Sequence, residues 1–170
     1  MRVALAIVVP LVAALLQGSV VPFIAVAGAR PNLVVLAVAS WAVAVGPREA
    51  IWWAFFGGLA ADLLSGGPIG ALALASLLPV AALGLADTQG RPRSVLAGAL
   101  LIGLASLAAG LIYVALLALS GMQLPDLPAV VATAVSGGIY NAILAIATYP
   151  LCRIARRGSE KQASFGGQAW

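Results

Sequence analysis

Long apolar runs follow one another along this chain, and they constrain the fold more than any single motif does. Each run approaches the length of about 20 apolar residues that crosses a hydrocarbon core of about 30 Å. Together the runs occupy nearly all of the chain up to Cys152. Only 8% of the residues are charged, whereas soluble domains have roughly 25%. The sequence therefore predicts an all-α integral membrane protein with no soluble domain.

Short polar or helix-breaking segments divide the apolar sequence into six predicted transmembrane helices. The first lies in residues 3–29, a run longer than the apolar core of about 7–15 residues that a secretory signal peptide contains. We therefore interpret this run as a membrane helix and not as a signal peptide. The other predicted helices cover residues 33–45, 50–64, 69–86, 95–119 and 129–152.

The basic residues predict how this six-helix arrangement is oriented. Six spans place every basic residue except Arg30 on the side of the two chain ends. Basic residues near the ends of spans mark the cytoplasmic side of a membrane, so both termini are predicted to be cytoplasmic. The last residues contain few apolar side chains and no helical period, which is typical of disorder. We divide the chain into a six-helix transmembrane domain, residues 1–157, and a disordered cytoplasmic tail, residues 158–170.

The reactive residue types argue against catalysis. The chain contains no histidine, which excludes histidine-based triads and proton relays and most zinc or haem sites. Its single cysteine, Cys152, cannot form an intramolecular disulfide. No two acids have a spacing that suggests a catalytic pair. The basic residues lie at predicted helix ends without interleaved aromatic residues, which argues against nucleic-acid binding. We predict no catalytic residue, no metal site and no cofactor.

Asp62 is the acid that stands out, because it lies inside an apolar predicted helix. On a helix it shares a face with Gly58, four residues earlier, and a turn with Gly67, Pro68 and Gly70 follows it. An acid at the centre of a membrane costs about 2.5–3.5 kcal/mol on insertion scales. Three roles stay open: a capped or interfacial acid that stabilises the turn, a contact with a partner, or ion or proton coupling.

Arg30 is the expected partner of Asp62 within the chain. The predicted topology places Arg30 and the C-terminal end of the third helix on the same, outer side of the membrane. Arg30, Pro31 and Asn32 form a polar break, in which Pro31 suits the first turn of the second helix. An ion pair between Arg30 and Asp62 is therefore a specific structural expectation.

The motifs described so far resemble those of one protein family. Arg30-Pro31-Asn32-Leu33 is followed by Gly58-Leu59-Ala60-Ala61-Asp62 and then by Gly67-Pro68-Ile69-Gly70-Ala71-Leu72-Ala73-Leu74. This order resembles the bacterial rod-shape-determining protein MreD family, whose usual pattern is Pro-Asp-Leu, Gly-Leu-x-x-Asp and Gly-x-x-Gly-x-x-Ala-Leu. Asn32 departs from the pattern, since many relatives have aspartate there. The motifs cover helices 1–4, and helices 5 and 6 agree in hydropathy.

The resemblance implies a noncatalytic component of the cell-elongation machinery in the bacterial inner membrane. Such a protein would bind MreC and lie among membrane lipids. With MreC it would support MreB, RodA and a penicillin-binding transpeptidase during peptidoglycan synthesis. The resemblance also implies a fold similar to the substrate-binding subunit of energy-coupling-factor transporters. The alternative function is therefore a membrane subunit that takes up a small molecule such as a vitamin.

Overall fold

A computed structural model describes residues 2–26, 28–86 and 93–166 of the chain. Within these residues the chain forms six α-helices and one short 3-10 helix. They are α1 (Arg2–Ser19), the 3-10 helix (Val21–Phe23), α2 (Leu33–Ala44), α3 (Pro47–Ser65), α4 (Ala71–Ala86), α5 (Val95–Leu119) and α6 (Leu127–Gly166). The all-helical prediction is confirmed, and the bounds of α5 agree with the predicted ones.

Proline and glycine explain where the other bounds differ from the predictions. The first helix ends at Ser19, because Pro22 follows in the 3-10 helix. Helix α3 begins at Pro47, the first helical position, where the missing N–H of a proline has no intrahelical partner to lose. Helix α4 begins at Ala71, later than predicted. The preceding Gly70 has a φ of 91°, which is not helical.

Helix α6 differs most from its predicted bounds. It begins at Leu127 and continues to Gly166, past the predicted end at residue 152 and into the predicted tail. The added residues include arginine, glutamate, lysine, glutamine and alanine, which are good helix formers. The last four residues of the predicted tail, and residues 87–92 of the polar loop between α4 and α5, lie outside the described residues. The domain division at residue 157 stays a prediction.

Helix α2 lies at the centre of the bundle and contacts all five other helices. Its sequence, LVVLAVASWAVA, is apolar on every side, and most of its side chains are buried. A helix that is apolar all round is suited to such a buried position. Its Trp41 ring stacks on Trp53 of α3 with the ring centroids 4.3 Å apart. The remaining helices are therefore arranged around α2.

Contacts between distant segments show which helix ends lie together. At one end, Tyr140 of α6 donates a hydrogen bond to the carbonyl oxygen of Ile24, which precedes α2. At the other end, the Arg156 guanidinium donates to the carbonyl oxygen of Ala44, the last residue of α2. Helix α6 therefore runs in the same direction as α2.

Glycines allow close approach where helices pack most tightly. A Cβ atom added to Gly58 of α3 would collide with the backbone of Ala73 in α4. One added to Gly103 of α5 would lie 2.7 Å from the Cβ atom of Ala142 in α6. Small residues let helix backbones approach each other, which is a common basis of helix packing in membranes. The α3–α4 and α5–α6 pairs both use this kind of contact.

Two of the described helical segments are long and apolar enough to cross a membrane. They are Val95–Leu119 and Leu127–Arg156. Three further helical segments, Ile7–Ser19, Leu33–Ala44 and Ala71–Gly84, are apolar but shorter. The composition and these helices point to a membrane protein.

Candidate functional site

Asp62 joins the end of α3 to the beginning of α4. Its side chain is only 1% exposed. The carboxylate accepts a hydrogen bond from the backbone N–H of Gly70 at 2.9 Å, and its two oxygens lie 3.1 and 3.0 Å from the backbone nitrogen of Leu72. The first N–H groups of a helix have no intrahelical acceptor, and the helix dipole favours negative charge there. Asp62 therefore caps α4 from a different helix.

Glycine is required at two positions of the turn that Asp62 holds. Gly66 and Gly70 have φ values of 69° and 91°, which side chains other than glycine rarely adopt. Between them, Gly67 lies close to α5, since an added Cβ atom would be 3.3 Å from the hydroxyl oxygen of Tyr113. The turn brings together four residues predicted to form a site: Asp62, Gly67, Pro68 and Gly70.

A second cluster forms around Asn32, which caps the N-terminus of α2. The Asn32 side chain accepts a hydrogen bond from the backbone N–H of Val35 at 3.0 Å. Asparagine and aspartate are about equally good at this position, so Asn32 performs the capping that an aspartate there would perform. The departure from the family pattern therefore leaves this local structure intact.

Asn141 of α6 holds the backbone of Asn32 from the other side. Its side-chain oxygen accepts from the Asn32 N–H at 3.2 Å, and its side-chain nitrogen donates to the Asn32 carbonyl oxygen at 3.0 Å. The same nitrogen lies 3.0 Å from the Ser106 hydroxyl of α5. Asn141 is fully buried, and these contacts occupy the donor and the acceptor of its amide.

Gln17 of α1 completes the attachment of this connection. Its side-chain nitrogen donates to the carbonyl oxygen of Pro31 at 3.2 Å, and its side-chain oxygen accepts from the N–H of Leu33 at 2.6 Å. Pro31 is itself buried. The segment between α1 and α2 is thus bound by side chains of α1 and α6, and α5 supports it through Ser106.

The expected ion pair between Arg30 and Asp62 does not form between these two described residues. Both oxygens of Asp62 already face backbone amides of the turn, whereas Arg30 is exposed and belongs to the other cluster. The prediction of an ion pair was therefore wrong. The prediction assumed that a buried acid pairs with an opposite charge. The free N–H groups at the start of a helix can stabilise the carboxylate instead.

A cavity of about 360 Å³ lies beside the Asn32 cluster. Arg30, Asn32, Asn141 and Tyr113 are among the residues that line it. The hydroxyl of Tyr113 also approaches Gly67 in the α3–α4 turn. Arg30 and Asn32 therefore line the cavity, whereas the predicted site residues of the α3–α4 turn lie near it only through Tyr113. Gly58 lies elsewhere, since it packs against Ala73 within the α3–α4 pair.

The arrangement is suited to holding helix ends, and its polar groups are used for that purpose. Within the described part of the chain, no three side chains of histidine, cysteine, aspartate or glutamate come together as metal ligands. Asp62, Asn32, Gln17 and Asn141 all bind backbone groups at the starts of α2 and α4. These contacts stabilise two helices that begin inside the bundle.

Sequence reasoning found part of this site and missed its connections. Asn141 is polar within an apolar helix, which indicates that it faces protein, but the pattern does not identify Asn32 and Ser106 as its partners. Gln17 is likewise a polar residue within the apolar helix α1. A polar residue in an apolar helix could thus have identified both contributors, although only the fold identifies the backbone groups that they bind.

Removing the Asp62 carboxylate should destabilise the isolated protein. We expect Asp62→Ala to lower the free energy of unfolding by about 2–4 kcal/mol, since a helix cap is lost and buried N–H groups lose their acceptor. Asp62→Asn should cost less, because its amide retains one acceptor oxygen. Thermal unfolding in detergent, followed by tryptophan fluorescence, measures both. The control Gln123→Ala, in the exposed loop between α5 and α6, should change the value by less than about 0.5 kcal/mol. Equal melting of Asp62→Ala and wild type would contradict the capping role.

Replacing Asn141 should release the connection between α1 and α2. Asn141→Leu has a similar size but leaves the N–H and carbonyl of Asn32 without their partner, at about 1–3 kcal/mol per unsatisfied group. We expect faster hydrogen exchange at the amide of Asn32, measured by mass spectrometry on peptides covering this segment. Thr133→Ala is the control, because the exposed Thr133 hydroxyl donates only within α6. Unchanged exchange in Asn141→Leu would show that its amide does not hold the connection.

Comparison with known proteins gives the family of the chain. No curated protein matched it, and no solved structure matched it. A family model described as rod shape-determining protein MreD matches residues 1–155. That match extends over α1 to α5 and through the bundle portion of α6, including both clusters and the cavity. The chain therefore belongs to the rod shape-determining protein MreD family, whose role is in the determination of rod shape.

Proposed function

We propose that this protein is a noncatalytic scaffold of the cell-elongation machinery in the bacterial inner membrane. It binds MreC and, with MreC, supports MreB, RodA and a penicillin-binding transpeptidase in peptidoglycan synthesis along the cell cylinder. The observation that carries this proposal is the family match over residues 1–155. The site supports a structural role, because its polar groups bind the protein's own backbone.

We further propose that all six helices span the membrane, with both termini in the cytoplasm. At about 1.5 Å per residue, α2 with 12 residues and α4 with 16 residues extend about 18 and 24 Å, less than the hydrocarbon thickness of about 30 Å. Their N-termini would then lie below the membrane surface. Non-helical backbone is tolerated at that depth where it is buried in protein, and Asp62, Gln17 and Asn141 supply its hydrogen bonds.

The burial of Gly58 and Asp62 bears on how MreC is bound. Both residues are buried within the chain, where Gly58 meets Ala73 and Asp62 meets the start of α4. This favours the structural role of Asp62 over direct contact with a partner. We therefore place the contact with MreC on other, exposed residues.

The binding of MreC can be tested by co-purification with a tagged MreC from the same organism. We expect wild-type protein to be retained, and Asp62→Asn to be retained in proportion to the amount of folded protein. Depletion should give round, widened cells in a rod-shaped host. Weakened MreC binding by Asp62→Asn at unchanged melting temperature would instead show that Asp62 contacts the partner. A vitamin-like molecule bound at near-equal stoichiometry, without MreC, would favour the small-molecule uptake subunit.

The proposed topology can be tested with reporter fusions at three positions. Fusions at Thr88 and Gly158 should report the cytoplasm, since most basic residues flank these segments. A fusion at Gly121, between α5 and α6, should report the outside. A cytoplasmic signal at Gly121 or an outside signal at Gly158 would contradict six spans.

A further inference from the structure

Helices α5 and α6 approach most closely around Gly103 and Gly138 and separate slightly toward the α5–α6 loop, where Gly110 is still in ordinary contact with Ala134. Near the middle, a Cβ atom added to Gly138 would lie 3.1 Å from the carbonyl oxygen of Gly103. Two turns further along α5, a Cβ atom added to Gly110 would lie 3.6 Å from the nearest atom, the Cβ of Ala134. The cavity occupies the wedge that this separation opens, and Leu124 and Pro125 of the loop also line it.

The size and lining of the cavity restrict what can occupy it. Its volume of about 360 Å³ is less than half of the ~850 Å³ that two turns of a helix about 10 Å wide would fill. A transmembrane helix of a partner therefore does not fit inside. The walls are mainly apolar and include Val114 and Leu117 of α5 and Val130 and Ala134 of α6. A single hydrocarbon chain has the shape and polarity that such a wedge accepts.

Arg30 adds a positive charge to this apolar wedge. Arg30 is among the residues that line the cavity. It is exposed, and no hydrogen bond or ion pair engages its side chain within the described chain. Asp126, in the neighbouring loop, forms no ion pair with it among these residues. A guanidinium group binds phosphate through two parallel hydrogen bonds. A cation that has no partner among the described residues and lies beside an apolar wedge is thus complementary to a molecule with a phosphate group and a hydrocarbon chain.

We propose that this cavity binds an anionic phospholipid of the surrounding membrane. One acyl chain occupies the wedge between α5 and α6, and the phosphate group binds Arg30. The polar residues at the inner end of the cavity, Asn32, Ser106 and Asn141, are already bonded to one another, so the lipid needs no polar contact there. The site does not depend on MreC, and its test is independent of the proposed scaffold function.

Native mass spectrometry of the purified protein in detergent tests this site. The protein is titrated with phosphatidylglycerol and with phosphatidylcholine of identical acyl chains. We expect phosphatidylglycerol to bind at least about fivefold more tightly. Arg30→Gln should weaken phosphatidylglycerol binding about tenfold, as expected for the loss of a charge-assisted hydrogen bond. It should weaken phosphatidylcholine binding less, because the choline cation already offsets the charge of the phosphate. Arg48→Gln is the matched control, since Arg48 is an exposed arginine that does not line the cavity, and its lipid binding should equal that of wild type.

A second pair of variants tests the apolar part of the site. Gly110→Leu should weaken the binding of both lipids, because its side chain fills the wedge. Thr133→Leu fills the same wedge from α6 and replaces Gly110→Leu if that variant does not melt cooperatively. Equal lipid binding in Arg30→Gln and Arg48→Gln, or equal affinity for the two lipids, would overturn the proposal. So would wild-type binding in Thr133→Leu, or displacement of the lipid by inorganic phosphate alone.

Discussion

The structure depends on one requirement, that every backbone N–H group at a helix start inside the bundle finds an acceptor. Where water is scarce, an unsatisfied group costs several kcal/mol. The first residues of α2 and α4 are largely buried, and side chains from other parts of the chain help to cap each start, together with Asn32 at α2. Asp62 serves the start of α4, and Gln17 and Asn141 serve the segment at the start of α2. These polar residues stand in an otherwise apolar sequence and satisfy backbone groups that would otherwise lack a partner.

The same contacts also set the arrangement of the bundle. Asp62 ties α3 to α4, and Gly58 lets the two helices approach so closely that a side chain there would collide with Ala73. Asn141 links α6 to the start of α2 by hydrogen bonds, and the nearby Gly103 and Gly138 let α5 and α6 approach each other closely. Directional hydrogen bonds thus lie next to positions of close packing. The separation of α5 and α6 beyond these positions leaves the cavity that Arg30 borders.

The sequence predicts the helices well because apolar runs bounded by proline and glycine are local signals. The bounds of α5 were predicted correctly, and the start of α4 was missed because the positive φ of Gly70 is a feature of the folded turn. Asp62 was recognised as important from its apolar surroundings. Its assignment to Arg30 was wrong, since sequence reasoning pairs charges more readily than it pairs a carboxylate with backbone amides. The contact between Asn141 and Asn32 joins residues far apart in the chain, and no local sequence pattern predicts it.

The distance along the chain between Asn32 and Asn141 has a consequence for the way this protein is made. The two residues are 109 positions apart. At about 5–20 residues per second, the ribosome supplies Asn141 only about 5–20 s after Asn32. During that interval the backbone at the N-terminus of α2 lacks its hydrogen bonds to the Asn141 side chain. Biogenesis therefore involves a waiting period, in which lipid headgroups, water or the insertion machinery must occupy the polar backbone that α6 later covers.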